Sequence, residues 1–266
     1  MGRISEAAKK RYSEKIREYK NITEEMQRRE KSLIAVIQKE DNGAEYQRFT
    51  LSEEILDRIS YLTLMNKLSV ALLGVKNESF LNDARKDIYK SIIYLEENVT
   101  GYIDVPFSDY EDKLRKFEDY NERQRYALLQ KLGFSIQSVK DGFGENTKWK
   151  WSFVEMEGRF ATVSKNLLDF KTLVAGLDPR VDGYEVRLAH LDLTKRMLQH
   201  SADRYREKYE LSTSRIDDFK LAINYLSALR RVHLMLGEAE EGDTVKKKLD
   251  VWKNKMESDS RKAEGK

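Results

Sequence analysis

Three histidines, His190, His200 and His233, raise the first chemical question, because metal sites in helical proteins are built from imidazoles and carboxylates spaced about one turn apart. A carboxylate-bridged di-iron site needs Glu-x-x-His pairs, so that both ligands leave one helix toward a common point. Here the residues three positions earlier are Arg187, Met197 and Arg230, so the pattern is absent. His190 and His200 lie ten residues apart, which puts them on one helix face but too far apart to hold one ion. All three are expected at the surface or the edge of a core, with no metal.

Other site-like segments fail on a single residue each. Asp178-Pro179-Arg180-Val181-Asp182-Gly183 opens like a calcium loop, but Arg180 occupies a ligand position and Ala189 stands where the bidentate glutamate belongs. A helix cap, with Asp178 as N-cap and Pro179 at the first helical position, explains the segment. Gly237 to Thr244 has phosphate-loop spacing, yet Asp243 replaces the lysine that would meet the phosphate. Glu238, Glu240 and Glu241 add further negative charge, so an acidic interhelical turn is expected. Gly142-Phe143-Gly144 lacks the third glycine of a dinucleotide fingerprint, and Asp217-Asp218 lacks the downstream aspartate of a magnesium-diphosphate motif. No cofactor is expected.

Binding chemistry is more plausible than catalysis. Lys148-Trp149-Lys150-Trp151-Ser152-Phe153 interleaves cations and aromatic rings, the composition of a surface that stacks bases or meets a partner. Trp149 shares a helix face with Phe153, whereas Trp151 points elsewhere and is the residue expected to mark a binding surface. Lys246, Lys247 and Lys248 make the C-terminal helix locally basic, as Lys9-Lys10-Arg11 does at the other end. Such runs are normally a solvated face; an anionic membrane or nucleic acid is the functional alternative. Asn66 and Lys195 interrupt otherwise apolar faces, and a ligand pocket inside the bundle would require them to point inward.

The elements that carry these residues read as helices throughout. Only Pro106 and Pro179 interrupt the chain, leaving long stretches free of helix breakers. A first helix is expected from Ser5 to Lys39, stopping at Asp41-Asn42-Gly43. Thr50 to Glu53 has the form of a capping box that opens a second helix through Leu73, and Ser79 to Asn98 forms a third. Ser108 to Glu111 is another such box, starting a helix toward Gly133, and Asp141 to Gly144 is the most loop-like segment. Beyond it, Phe153, Met156, Phe160, Val163, Leu167, Phe170 and Val174 alternate at three- and four-residue steps, as in helices that pack in a left-handed supercoil. The rhythm continues from Tyr184 to Tyr209, with one polar interruption near Lys195, then through Phe219 to Val232 and Val245 to Met256. The tail from Ser258 onward is expected to fray.

Composition agrees. Of 266 residues, 40% are hydrophobic and 36% charged, too apolar for a disordered chain and more charged than a broad buried sheet tolerates. The 49 basic and 46 acidic residues are interleaved and leave a formal charge of only +3, less than a dedicated nucleic-acid binder carries. There is no cysteine, hence no disulfide, thiolate metal site or cysteine nucleophile. The run from Leu62 to Val75 contains Asn66 and Lys67 and is too short to span a bilayer, and no apolar leader lies between Met1 and Lys31. The cytoplasm is the default expectation, although a processed periplasmic form fits the composition equally.

The expected fold is therefore all-α, an elongated bundle of about eight long amphipathic helices with coiled-coil-like packing. Three parts are expected: a three-helix unit over 1–105, a connecting helix and hinge over 106–145, and a long-helix bundle over 146–266. The expected function is a non-enzymatic scaffold acting through protein–protein contacts and self-association, with anionic-surface binding through Trp149, Trp151 and the terminal lysines as the alternative.

Overall fold

The computed structural model describes residues 5–39 and 43–264. Among them the chain is all-α, with ten α-helices and no strand. Eight are long: α1 (Glu6–Ile37), α2 (Ala44–Leu73), α3 (Glu78–Asn98), α5 (Glu122–Phe143), α6 (Lys150–Asn166), α8 (Tyr184–Lys208), α9 (Ile216–Met235) and α10 (Ala239–Glu264). Two are short, α4 (Glu111–Arg115) and α7 (Phe170–Gly176). None is long and apolar enough to cross a membrane.

The chain packs as two compact units, neither of them a continuous stretch. The first takes the residues up to 98 with 116–120 and 127–153; the second takes 99–115, 121–126 and 154 onward. In the first unit α2 is the central element, contacting both α1 and α3. Leu51, Ile55, Ile59 and Met65 of α2 and Leu81, Ile88, Ile92 and Leu95 of α3 are at most 1% exposed, and Phe49 stacks on Tyr120 at 4.1 Å. In the second, α9 packs against both α8 and α10. Phe160 and Val163 of α6, Leu198 and Ala202 of α8, Phe219 and Leu226 of α9 and Trp252 of α10 are buried there.

Helix termini account for most differences from the sequence expectations. Asp41 and Asn42, the expected end of α1, lie outside the described residues. The second helix starts at Ala44, behind the N-cap Gly43, not at Thr50. Nothing from Ala44 to Phe49 breaks a helix, and the Thr50 hydroxyl donates back to the Tyr46 carbonyl at 3.2 Å, the usual role of a mid-helix threonine. The Ser108 box yields only a 3₁₀ turn at Phe107–Asp109 and the five residues of α4, because Glu111 pairs with Arg115 and Lys171 instead of capping. The functioning box is Asn121-Glu122-Arg123-Gln124: the Gln124 amide donates to Asn121 Oδ1 (3.1 Å) and the Asn121 amide to Gln124 Oε1 (2.9 Å), opening α5.

Asp141 to Phe143 is the last turn of α5, not a loop. Gly142 belongs there because a Cβ would stand 2.5 Å from Leu81 Cδ2, and Gly144, at φ +80°, ends the helix. The expected continuous stripe from Phe153 to Val174 breaks after Asn166, since Asp169 turns its carboxylate onto the Lys171 amide and the Thr172 hydroxyl and so restarts the chain as α7. Val174 ends 57% exposed. Asp178 caps a turn through the Arg180 amide, and α8 starts later, after Gly183. α10 continues to Glu264 where fraying was expected from Ser258.

A buried charge cluster joins α1, α2 and α3 of the first unit. Arg58 of α2, 1% exposed, gives Nε and Nη2 to the two oxygens of Asp87 of α3 (2.7 and 2.8 Å) and Nη1 to Glu30 of α1. Lys90 closes the set on Glu30 at 3.0 Å, leaving two cations on two carboxylates. Burial raises the Glu30 carboxyl, and hydrogen bonds from Arg58 and Lys90 outweigh it, so the group sits below the usual carboxylate range. In the second unit Gly158 lets α6 approach its neighbours, since a Cβ would lie 2.7 Å from both Tyr205 Cε2 and Tyr225 Oη.

Arg58→Met is expected to lower stability by about 3–5 kcal/mol in urea unfolding, because Glu30 and Asp87 would stay buried without their partner. Replacing Arg58, Glu30 and Asp87 together by apolar residues is expected to recover most of that loss. Gly158→Ala, stabilising in an ordinary helix interior, is expected to be destabilising here by about 1–3 kcal/mol in the same assay.

Candidate functional site

Trp149, in the turn just before α6, and Trp151, in its first turn, belong to the first unit, and both are half-buried. Arg85 of α3 lies over the Trp149 ring with its guanidinium carbon 3.8 Å from the centroid, and Lys148 lies 5.3 Å from it. Lys150 stands 4.6 Å from the Trp151 ring centroid. Arg85 Nη1 also donates to Ser152 Oγ at 3.3 Å, next to the Tyr89 hydroxyl at 3.1 Å. These rings are therefore engaged by the protein's own cations, and Arg85 fastens the start of α6 to α3. Lys246, Lys247 and Lys248 belong to the second unit. Lys246 and Lys247 are exposed, whereas Lys248 bonds Asp203 at 2.7 Å and lies over Trp252 at 4.8 Å.

The two polar interruptions each line a cavity. Asn66 accepts the Asn77 amide at 2.9 Å, and Asn77 in turn accepts the Phe80 amide at 3.2 Å, which fixes the turn between α2 and α3. Beside Asn66 a groove of about 560 Å³ runs between α2 and α5. Its walls include Val70 (47% exposed) and Phe134 (66%), its base Leu81, and its rim Lys67, Lys76 and Asp141. Lys76 is committed to the Phe143 carbonyl at the end of α5, at 2.7 Å. Lys195 lines a groove of about 690 Å³ bordered by α8, α9 and α10, where Glu238 takes its ammonium at 2.6 Å. Arg196, His200, His233, Glu240 and Glu241 share that groove.

Every histidine is held by a glutamate of the second unit. His200 Nε2 faces Glu157 at 3.1 Å and His233 Nδ1 faces Glu238 at 2.6 Å, positions consistent with a surface and a core edge. His190 departs from that expectation: it is fully buried, with Nδ1 on Glu122 and Nε2 on the Ser164 carbonyl at 2.9 Å. A carbonyl only accepts, so Nε2 carries a proton, and the contact with Glu122 then holds one more proton between imidazole and carboxylate. Burial raises the Glu122 carboxyl, but the His190 hydrogen bond and nearby Arg125 and Arg187 bring it below its ordinary value. Among the described residues no group of three or more His, Asp or Glu could hold a metal ion.

The end of α6 gathers further buried polar groups. Asn166 Nδ2 donates to the carbonyls of Thr100 (2.8 Å) and Tyr102 (3.3 Å), and Lys165 Nζ to that of Val105 at 3.4 Å. Arg231 holds the same loop by Asp104 Oδ1 at 2.7 Å. Lys165 is 6% exposed and lies 5.4 Å from the ring centroid of Tyr110, itself 1% exposed. The Tyr110 hydroxyl finds no hydrogen-bond partner among the described residues, and its burial pushes the phenol far up. Burial, then the Arg231 charge, push the Lys165 amine down to about 8. Sequence reading passed over this cluster because Lys165 and Tyr110 are 55 positions apart and neither sits in a motif.

A lysine at about 8 when folded and 10.5 when unfolded leaves the native state with one proton fewer between those values, so this group makes stability rise with pH across that window. The span, 10.5 − 8 = 2.5, corresponds to about 3 kcal/mol. Lys165→Met is thus expected to be more stable than the wild type at pH 7, by an advantage that shrinks toward pH 10. Urea titrations at pH 7 and 9.5 check this; a pH-independent difference would mean that the buried amine titrates like an exposed one.

No curated protein and no solved structure matches the chain. A family model does match, over residues 8–260, a span that runs from α1 into α10. The chain belongs to the TP0443 family.

Proposed function

We propose that the protein is a non-catalytic helical scaffold that works through protein–protein contacts within a larger assembly, seating the apolar face of a partner helix in the groove between α2 and α5. The observation that carries this reading is the exposure of Phe134 and Val70 at 66% and 47% on opposite walls of one groove of about 560 Å³. A large aromatic side chain left in water beside a second apolar one is the composition of a helix-binding surface, and charged residues at the rim set the register of the incoming helix. Binding to an anionic surface has less support, because Trp149 already carries Arg85 on its ring and Lys248 is paired with Asp203.

A photo-reactive residue at position 134 of the full chain, activated in the cells of origin, is expected to crosslink to an apolar helix of one partner or of a second copy. Val70→Glu, which alters only an exposed side chain, is expected to reduce that crosslink at least tenfold, about 1.4 kcal/mol of contact energy. Light scattering over a hundredfold concentration range separates the two partners, since only self-association raises the mass. No crosslink from position 134, together with an unchanging monomer mass, would remove the reading.

A further inference from the structure

We propose that Lys165 is a covalent carbonyl site, whose amine condenses with an aldehyde or ketone of a few heavy atoms to form an imine. The inference is independent of the groove between α2 and α5. It starts from the surroundings of the amine: 6% exposure, one long bond to the Val105 carbonyl at 3.4 Å, and the Tyr110 ring against it. Asp104, the carboxylate of this cluster, is bonded to Arg231 at 2.7 Å. An ammonium has three donors and the described residues answer one of them, at 3.4 Å, whereas a neutral amine needs far less. Arg231 beside it disfavours a second positive charge, and Asp104 only partly offsets that.

At about 8, the amine is half neutral at pH 8, where an ordinary lysine near 10.4 is about 0.4% neutral. The neutral nitrogen adds its lone pair to the carbonyl carbon: an N–C bond forms, the C–O π pair moves to oxygen, and one nitrogen proton passes to that oxygen. Loss of water, with the second nitrogen proton, leaves the imine. Atoms balance and nothing is oxidised or reduced. The Tyr110 hydroxyl, protonated and without a hydrogen-bond partner among the described residues, is the free donor of this cluster. Burial limits the ligand to a small one.

The test treats the full-length protein with glyoxylate or formaldehyde and cyanoborohydride, which traps the imine, from pH 7 to 9.5, and maps the adducts by peptide mass spectrometry. At pH 7.5, Lys165 is expected to label at least tenfold faster than exposed Lys246, with half-maximal rate near pH 8. In Arg231→Gln that half-maximum is expected to move to higher pH, and in urea the advantage over Lys246 is expected to disappear. Labelling of native Lys165 no faster than Lys246, no labelling at all, or an unmoved half-maximum in Arg231→Gln would each overturn the proposal.

Discussion

Taking a full charge out of water costs several kcal/mol unless partners replace the lost hydration, and both units are organised around groups that face this constraint. In the first unit the answer is complete. Arg58 spends two donors on Asp87 and a third on Glu30, and Lys90 balances the remaining charge, so three helices are held in one relative register by groups that tolerate no other arrangement. Apolar packing alone would not select that register so sharply, because neighbouring leucine and isoleucine rows are interchangeable where an Arg–carboxylate fork is not. In the second unit the answer is uneven: Glu122 and His190 satisfy each other, while among the described residues Lys165 has one long bond and the face of the Tyr110 ring.

That contrast separates what was legible in the sequence from what was not. Helical periodicity is a local property, and it correctly marked the all-α class, the end of α2 at Leu73 and the buried stripes of α6, α9 and α10. It placed the starts of α1 and α3 to within a residue and erred at those of α2, α4, α5 and α8, where a side chain chooses between its own amide neighbours and partners elsewhere. Ser108 and Glu111 have cap spacing, yet Glu111 is drawn away by Lys171, sixty residues on. In the rhythm expected from Tyr184 to Tyr209, Leu191, Leu198, Ala202 and Tyr205 are buried, but Leu188 is 36% exposed and His190 occupies the core in its place. A histidine can do so only because Glu122 and the Ser164 carbonyl meet its two nitrogens, and neither is visible within a turn of it.

The candidate site residues divide along the same line. Trp149, named with Trp151 for binding an anionic surface, carries the guanidinium of Arg85 on its ring. Asn66 and Lys195 were flagged because polar residues broke an apolar face, and both line cavities. Lys165 was passed over, since a lysine in the last turn of a helix resembles any solvated lysine until the loop from Val99 to Pro106 is seen to lie over it, tied down by Asn166 and Arg231. Its chemistry is a property of tertiary surroundings alone.

The composition of α1 has a consequence for how the first unit opens. Of its 32 residues only Ile16, Thr23 and Glu30 are buried, so most of its attachment rests on partly covered side chains and on one carboxylate shared with Arg58. Little apolar area is lost when such a helix departs, and the free energy of opening is correspondingly small. Its amides would therefore exchange with solvent well before those of α2 and α3, and their protection relative to free peptide would fall in acid, as protonation of Glu30 removes its hold on Arg58. α1 is thus the first unit's detachable edge, a segment whose order is set by charge and whose loss leaves the packed pair of α2 and α3 beneath it intact.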